Sequence, residues 1–241
     1  MGTSTDRSGG SGGAWTPLKH AATSFMNAAD AGRGTGIAGR RLLARHVPVL
    51  GGAAGAVAGA RAGRTGAQRL GSLLSGIAGD GLASTLTSQG LADLVGGDRF
   101  TVLDALASLI AGDGADLDAQ AARDATFDVL AELFPDADSW ADLDAVRVNA
   151  GEVVRLLELF LARYVYNRVP VIAERLARIT DPAKAQRAEE DLQRMVESFV
   201  ALRLPGDRCA WTGTAPRAGG SSRTRCGRCT KRSSCWRSSG H

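Results

Sequence analysis

Residues 149–204 read NAGEVVRLLELFLARYVYNRVPVIAERLARITDPAKAQRAEEDLQRMVESFVALRL, and this stretch decides the fold. Val153, Leu157, Phe160, Leu161, Tyr164 and Val165 recur at steps of three and four, which draws one apolar stripe along a helix. Asn149 and Glu152 have the spacing of a capping box, with Asn in the place of Ser or Thr. Pro170 lacks an N–H and crowds the carbonyl four residues back, so the helix should kink or break there. Ile172, Leu176 and Ile179 carry the stripe onward. Asp181-Pro182 supplies an N-cap and a first-turn proline for a returning helix. Leu192, Met195, Val196 and Phe199 repeat the apolar pattern, and Glu190 and Arg194 are spaced as an i,i+4 pair. The predicted hydrophobic centre is Leu157, Phe160, Tyr164, Leu192, Val196 and Phe199.

Upstream of this stretch, short helical patterns follow one another between Gly-rich turns. A first helix is predicted from Trp15 to Ala29. Leu70, Leu73, Leu74 and Ile77 make an apolar face that stops at Gly79-Asp80-Gly81. Asp98 should cap a helix carrying Phe100, Leu103, Leu106 and Ile110. Another should run from about Leu117 to Phe134, with Phe127, Leu130, Ala131 and Phe134 turned inward. No segment alternates with period two, so no sheet is predicted. The expected fold class is all-α: an irregular helical bundle over 15–204, between a Gly/Ser-rich disordered tether at 1–14 and an Arg/Cys-rich disordered tail at 205–241.

At 241 residues and 44% hydrophobic content the chain can bury a real core. The net charge of +4 hides three blocks. Between Ala31 and Gly79 there are seven arginines (Arg33, Arg40, Arg41, Arg45, Arg61, Arg64 and Arg69) and no acid. Between Asp80 and Glu152 there are fifteen acids against three arginines. After Leu204 there are eight basic residues against Asp207, so the tail carries +7 and the rest −3. A basic pI made by the tail is no argument for nucleic-acid binding by the body.

Several motifs fail on inspection. Gly34-Thr35-Gly36-Ile37-Ala38-Gly39 matches G-x-G-x-x-G, but a helical pattern precedes it and the next acid is Asp80, so the dinucleotide reading lacks its context. The Asp-rich turns do not fit a calcium loop, and read as caps and solvated surface. His20 and His46 have no cysteine near them in sequence, and no P-loop, H-E-x-x-H or G-x-S-x-G occurs. The expectation is a chain that is not an enzyme and takes no cofactor. Gly51, Gly55, Gly59 and Gly63 fall at four-residue steps, as if lining one helix face for close packing in the bundle. The uncharged run Val47–Ala60 is too short to span a bilayer, which needs ~20 residues. No signal peptide begins the chain, which points to the cytoplasm.

All four cysteines, Cys209, Cys226, Cys229 and Cys235, lie in the tail. Cys226 and Cys229 form a CxxC, so a zinc site is the weaker alternative to no metal. The tail has no Leu, Ile, Val, Met or Phe after Leu204, which also suggests a change of reading frame there.

The order of several short pieces resembles the QatB family, a component of the Qat anti-phage defence system. They are Met1-Gly2-Thr3-Ser4 with its Gly/Ser follow-on; Gly34-Thr35-Gly36 before an Arg-rich helix; and Leu74-Ser75-Gly76 leading to Asp80-Gly81. Further pieces are Gly90-Leu91 through Leu94-Val95-Gly96; Gly112-Asp113-Gly114; and Ala122-Arg123-Asp124 running into Leu130-Ala131-Glu132-Leu133. The resemblance implies a bacterial operon that also encodes an ATPase, an enzyme similar to 7-cyano-7-deazaguanine synthase and a TatD-like nuclease. It implies a non-enzymatic member that partners the synthase-like enzyme and presents Gly2, freed by removal of Met1, for modification. Arg33, Arg40, Arg41 and Arg45 are the candidate partner-binding residues. A nucleic-acid-binding module using Arg33–Arg69 is the alternative, and surface membrane association through Val47–Ala60 a third reading.

Overall fold

The computed structural model describes residues 12–203. Among these, eleven α-helices and one 3₁₀ turn follow one another, and there are no strands. The helices are α1 (Gly12–Asp30), α2 (Gly36–Val49), α3 (Gly52–Ala58), α4 (Arg61–Asp80), α5 (Leu82–Ser88), α6 (Arg99–Ala111), α7 (Leu117–Leu133), α8 (Trp140–Ala145), α9 (Ala150–Asn167), α10 (Pro170–Leu176) and α11 (Pro182–Arg203), with the 3₁₀ turn at Ala92–Leu94. The first helix thus begins three residues before Trp15. The expectations for the tether, the tail, Gly2 and the four cysteines lie outside the described residues, apart from Gly12–Ala14 in α1.

Local chemistry fixes the boundaries. Asn149 accepts from the backbone N–H groups of Gly151 and Glu152, while the Glu152 carboxylate accepts from Asn149 N–H at 2.7 Å, so the capping box forms. Ser139 and Asp142 make a second box that starts α8. Asp98 caps α6, Asp116 caps α7, and the Asp181 carboxylate accepts from Ala183 N–H at 2.9 Å. Each satisfies N–H groups that a helix start leaves without partners. At Pro170 the chain breaks rather than bends, and the proline opens α10.

Two hydrophobic clusters result. The larger gathers α4 through α9, with Leu70, Leu74, Leu106, Ile110, Val129 and Phe160 all buried. The smaller packs the α1–α2 hairpin on α10 and α11, around Leu18, Phe25, Leu42, Ile172 and Leu192. The predicted centre is therefore divided. Leu157, Phe160 and Tyr164 belong to the larger cluster and Leu192 to the smaller, and Val196 is also buried. Phe199 is 43% exposed, because it faces an open groove rather than the packed interior. Phe100 and Phe127 also face outward, since their neighbours Val102, Leu106, Val129 and Leu130 take the inner faces of α6 and α7.

Glycines set how closely helices approach. Gly66 lies against Phe160, and a Cβ there would come within 2.8 Å of the ring. Gly39 lies in the same way against Met195 and Phe25, holding α2 to α11 and α1. The row Gly51, Gly55, Gly59, Gly63 is not one helix face. Gly51 has φ +83, a left-handed conformation that ends α2, and a second break separates α3 from α4. Gly63, at the start of α4, lies against the Tyr164 ring, whereas Gly55 lies against the Leu50 carbonyl just before α3 and Gly59 against the Arg168 side chain. Arg194 pairs with Asp191, not Glu190. Glu190 already accepts from the Gln186 side chain at 3.0 Å.

Candidate partner-binding site

α1 and α2 are joined by the five residues Ala31–Thr35 and pack along each other as a helical hairpin. Thr35 is buried and donates its hydroxyl to the Asp191 carboxylate at 2.7 Å, which pins the hairpin turn to α11. Buried Gly39, Leu42 and His46 form the inner face of α2. Arg40, Arg41 and Arg45 are exposed on the rest of its surface, as is Arg33 in the turn. Ile37, Arg41 and Arg45 fall one helical turn apart, and Ile37 is 72% exposed. None of these four arginines makes an ion pair among the described residues. The helix thus offers an unpaired cationic ridge with one large aliphatic side chain in it. The acidic block does not neutralise this ridge within the described residues.

Beside the ridge lies a feature the sequence did not announce. α2, α3, α9 and α11 enclose an almost wholly apolar groove of about 540 Å³. Val47, Val57, Val165 and Phe199 line it, and each is at least 41% exposed. α3 forms one wall although none of its residues is buried. Its place depends on Arg168, which donates to the carbonyl oxygens of Ala56 at 3.3 Å and Gly59 at 3.2 Å.

A polar network anchors Arg168 in turn. Its guanidinium lies 3.5 Å from the Asp118 carboxylate and 5.5 Å from the centre of the Tyr164 ring. Asp118 also accepts from the Tyr164 hydroxyl and from Ala62 N–H. Burial, and then the hydrogen bond to Asp118, push the Tyr164 hydroxyl well above the ordinary tyrosine range, so it stays protonated and donating. Tyr164 and Arg168 lie one helical turn apart at the end of α9. Their partners Asp118 and Gly59 lie 46 and 109 residues away in the chain, and no local pattern names them.

His46 borders the groove. Both ring nitrogens are buried without a hydrogen-bond partner among the described residues, and burial, aided by the Arg168 charge, lowers its pKa to about 4. A neutral, inward imidazole with no nucleophile beside it is a packing residue. His20 is exposed on α1. On the far side of α9, Arg163 lies between Asp128 at 3.8 Å and Glu197 at 3.5 Å. Burial is the main cause that raises the Asp128 carboxyl, with Arg163 opposing it. Among the described residues no group of three His, Cys, Asp or Glu side chains is placed to hold a metal ion. No described helix is long and apolar enough to cross a membrane.

A family model described as "Qat anti-phage system associated protein QatB" matches residues 51–218, or 168 of the 241 residues. The chain belongs to the QatB family. It is thereby a component of the Qat anti-phage system, and membership implies partners encoded with it. No curated protein and no solved structure matches the chain. The QatB match takes in α3 through α11, hence three walls of the groove and the whole Asp118–Tyr164–Arg168 network. It leaves out residues 1–50, and with them Gly2 and all of α2. The case for the arginine ridge therefore rests on the chain's own geometry.

Proposed function

We propose that this QatB-family protein is a non-enzymatic member of its defence system that docks an enzyme similar to 7-cyano-7-deazaguanine synthase and presents its N-terminal glycine for modification. The family match supports membership of the Qat system and hence partners encoded with it; the choice of the synthase-like enzyme among them follows from the resemblance. The ridge of Arg40, Arg41 and Arg45 is the docking face, with Ile37 as its apolar contact and Arg33 at its end. The hairpin adds a geometric support. α1 runs back along α2, so Gly12 lies towards the end of α2 that carries Arg45. Residues 2–11 would then leave the body beside the docked partner. Their Gly and Ser content suits a tether, and tethering supplies an effective concentration on the order of millimolar.

The chemistry suits Gly2. An α-amine has a pKa near 8, lower than a lysine's, so more of it is neutral and nucleophilic at pH 7. Glycine brings no side chain into a narrow active site. Co-expression with the neighbouring synthase-like enzyme, followed by intact mass and N-terminal peptide analysis, tests the proposal. The expected result is an added mass confined to the peptide that begins at Gly2, and its loss in Gly2→Pro, where the amine is secondary and in a ring. An unmodified Gly2 peptide with the enzyme active and bound overturns the modification. A complex that fails to form overturns the docking.

A further inference from the structure

The apolar groove adjoins the arginine ridge, and the two share α2. Arg40, Leu43, Ala44, Val47 and Leu50 follow one another at steps of three, one, three and three along the groove, while Arg41 and Arg45 stand on the neighbouring stripe of the helix. Building on the docking reading above, we propose that the groove between α2, α3, α9 and α11 receives an acidic amphipathic helix of the docked partner. Its apolar face enters the groove, and its carboxylates lie towards Arg40, Arg41 and Arg45.

Shape, chemistry and charge converge on this occupant. Thr35 meets Asp191 and Gly39 meets Met195, so α2 and α11 run side by side in the same direction, and the groove opens between their later turns. From Arg40 to Leu50 its α2 wall rises ~15 Å, at about 1.5 Å per residue. That is about three helical turns, enough for apolar anchors one and two turns apart on a bound helix. A concave slot of this length receives a helix, whereas a membrane surface calls for an apolar face that protrudes. Val47, Val57, Val165 and Phe199 are exposed together along the slot, and a contiguous apolar surface of this kind marks a binding site rather than scattered surface residues. Arg40 and Arg168 are the charged side chains that line it, and among the described residues no Asp or Glu does. Arg168 is engaged by Asp118 and by the carbonyls of Ala56 and Gly59, whereas Arg40 makes no ion pair among the described residues. With Arg41 and Arg45 on the adjoining stripe, the groove has a cationic flank. Carboxylates beside an apolar stripe complement that arrangement, and lysines there would be repelled.

The test uses the full chain with the synthase-like enzyme, read by binding kinetics and by amide exchange. In the free chain α3 should exchange rapidly, because none of its residues is buried, and in the complex it should slow. Val57 is 65% exposed, so a charge placed there enters the slot and leaves the core intact. Val57→Asp should speed dissociation on the order of tenfold. Val57→Lys should speed it several-fold less, since only the negative charge repels an acidic helix. Phe199→Ser, which removes a wall without adding a charge, should also speed dissociation. A complex that forms and ignores both Val57→Asp and Phe199→Ser overturns the groove and leaves docking at the ridge intact. Failure of any complex to form overturns the docking itself, and the groove's occupant with it. Equal losses from Val57→Asp and Val57→Lys overturn the acidic helix. Protection of α3 in the free chain also overturns it, assigning the groove to the chain's own residues where dilution has no effect and to a second copy where dilution removes it. Binding to phosphatidylserine vesicles that Val57→Asp abolishes, with the complex unaffected, assigns the groove to lipid instead.

Discussion

Gly63 and Tyr164 stand in direct contact, and a side chain on Gly63 would overlap the Tyr164 ring. This approach lets α4 lie against α9 and puts the Tyr164 hydroxyl beside Asp118, which also receives Ala62 N–H at 2.7 Å. Gly63→Ala should therefore destabilise the fold by about 1–3 kcal/mol, as overpacking does, despite alanine's better helix propensity. Gly79→Ala, in the same helix with no atom within 4 Å of its Cβ position, should stabilise by about 0.4–1 kcal/mol. Urea denaturation of both variants reads the signs. Two stabilising changes would mean that α4 does not approach α9 at Gly63.

His46 should make stability depend on pH. Its folded pKa of about 4 lies below the ordinary 6.5, so between those values the unfolded chain binds the extra proton and the folded chain does not. Stability contributed by the neutral ring is present above pH 6.5, falls as pH drops, and levels off near pH 4. The span is worth up to about 3 kcal/mol, at 1.36 kcal/mol per pH unit. Arg168 and Arg40 are the charged groups at the groove with it, and both oppose a second positive charge. Carboxylates also lose stability in acid, so the comparison is with His46→Leu. That variant should show a shallower fall between pH 6.5 and 4, and an identical slope would place the imidazole in solvent.

Burial separates two residues that the periodicity treated alike. Leu157 is 5% exposed within the larger cluster, and Leu157→Ala should cost about 2–5 kcal/mol. Phe100 is 73% exposed, and Phe100→Ala should stay within about 0.5 kcal/mol. Thermal and urea midpoints check the pair, and a large loss at Phe100 would show that α6 turns its other face to the core.

These two residues show what the sequence could and could not reveal. Helix identities were legible because 3.6-residue periodicity and caps such as Asn149 and Asp98 are local signals. The outward turn of Phe100, Phe127 and Phe199 was not, because an aromatic side chain weighs as apolar whichever neighbour is absent. The glycine row from Gly51 to Gly63 misled in another way. Four-residue spacing predicts one face only if the helix continues, and the left-handed Gly51 interrupts it. The exposed arginines of α2 could be read from the lack of acids near them. The groove beside them could not, since its walls come from residues as far apart as Arg40 and Val200.

Reversing the ridge charges should slow docking more than it weakens the final complex. Arg41 and Arg45 share one exposed face, and neither lines the groove, so Arg41→Glu with Arg45→Glu tests the ridge apart from the groove. Rim charges act mainly on encounter, through a field that salt screens over roughly 8–10 Å at ordinary ionic strength. Stopped-flow association with the synthase-like enzyme should fall on the order of tenfold at low salt. The difference should shrink as salt rises. Nucleic-acid binding predicts another pattern: affinity for DNA or RNA would fall steeply with log salt, and the slope would drop by about 0.9 for each duplex phosphate the variant no longer neutralises. A protein rate that ignores the reversals, together with a steep nucleic-acid slope that responds to them, would reassign α2 from protein docking to phosphate binding. Rates and slopes that both ignore them would leave Arg41 and Arg45 as a solvated face.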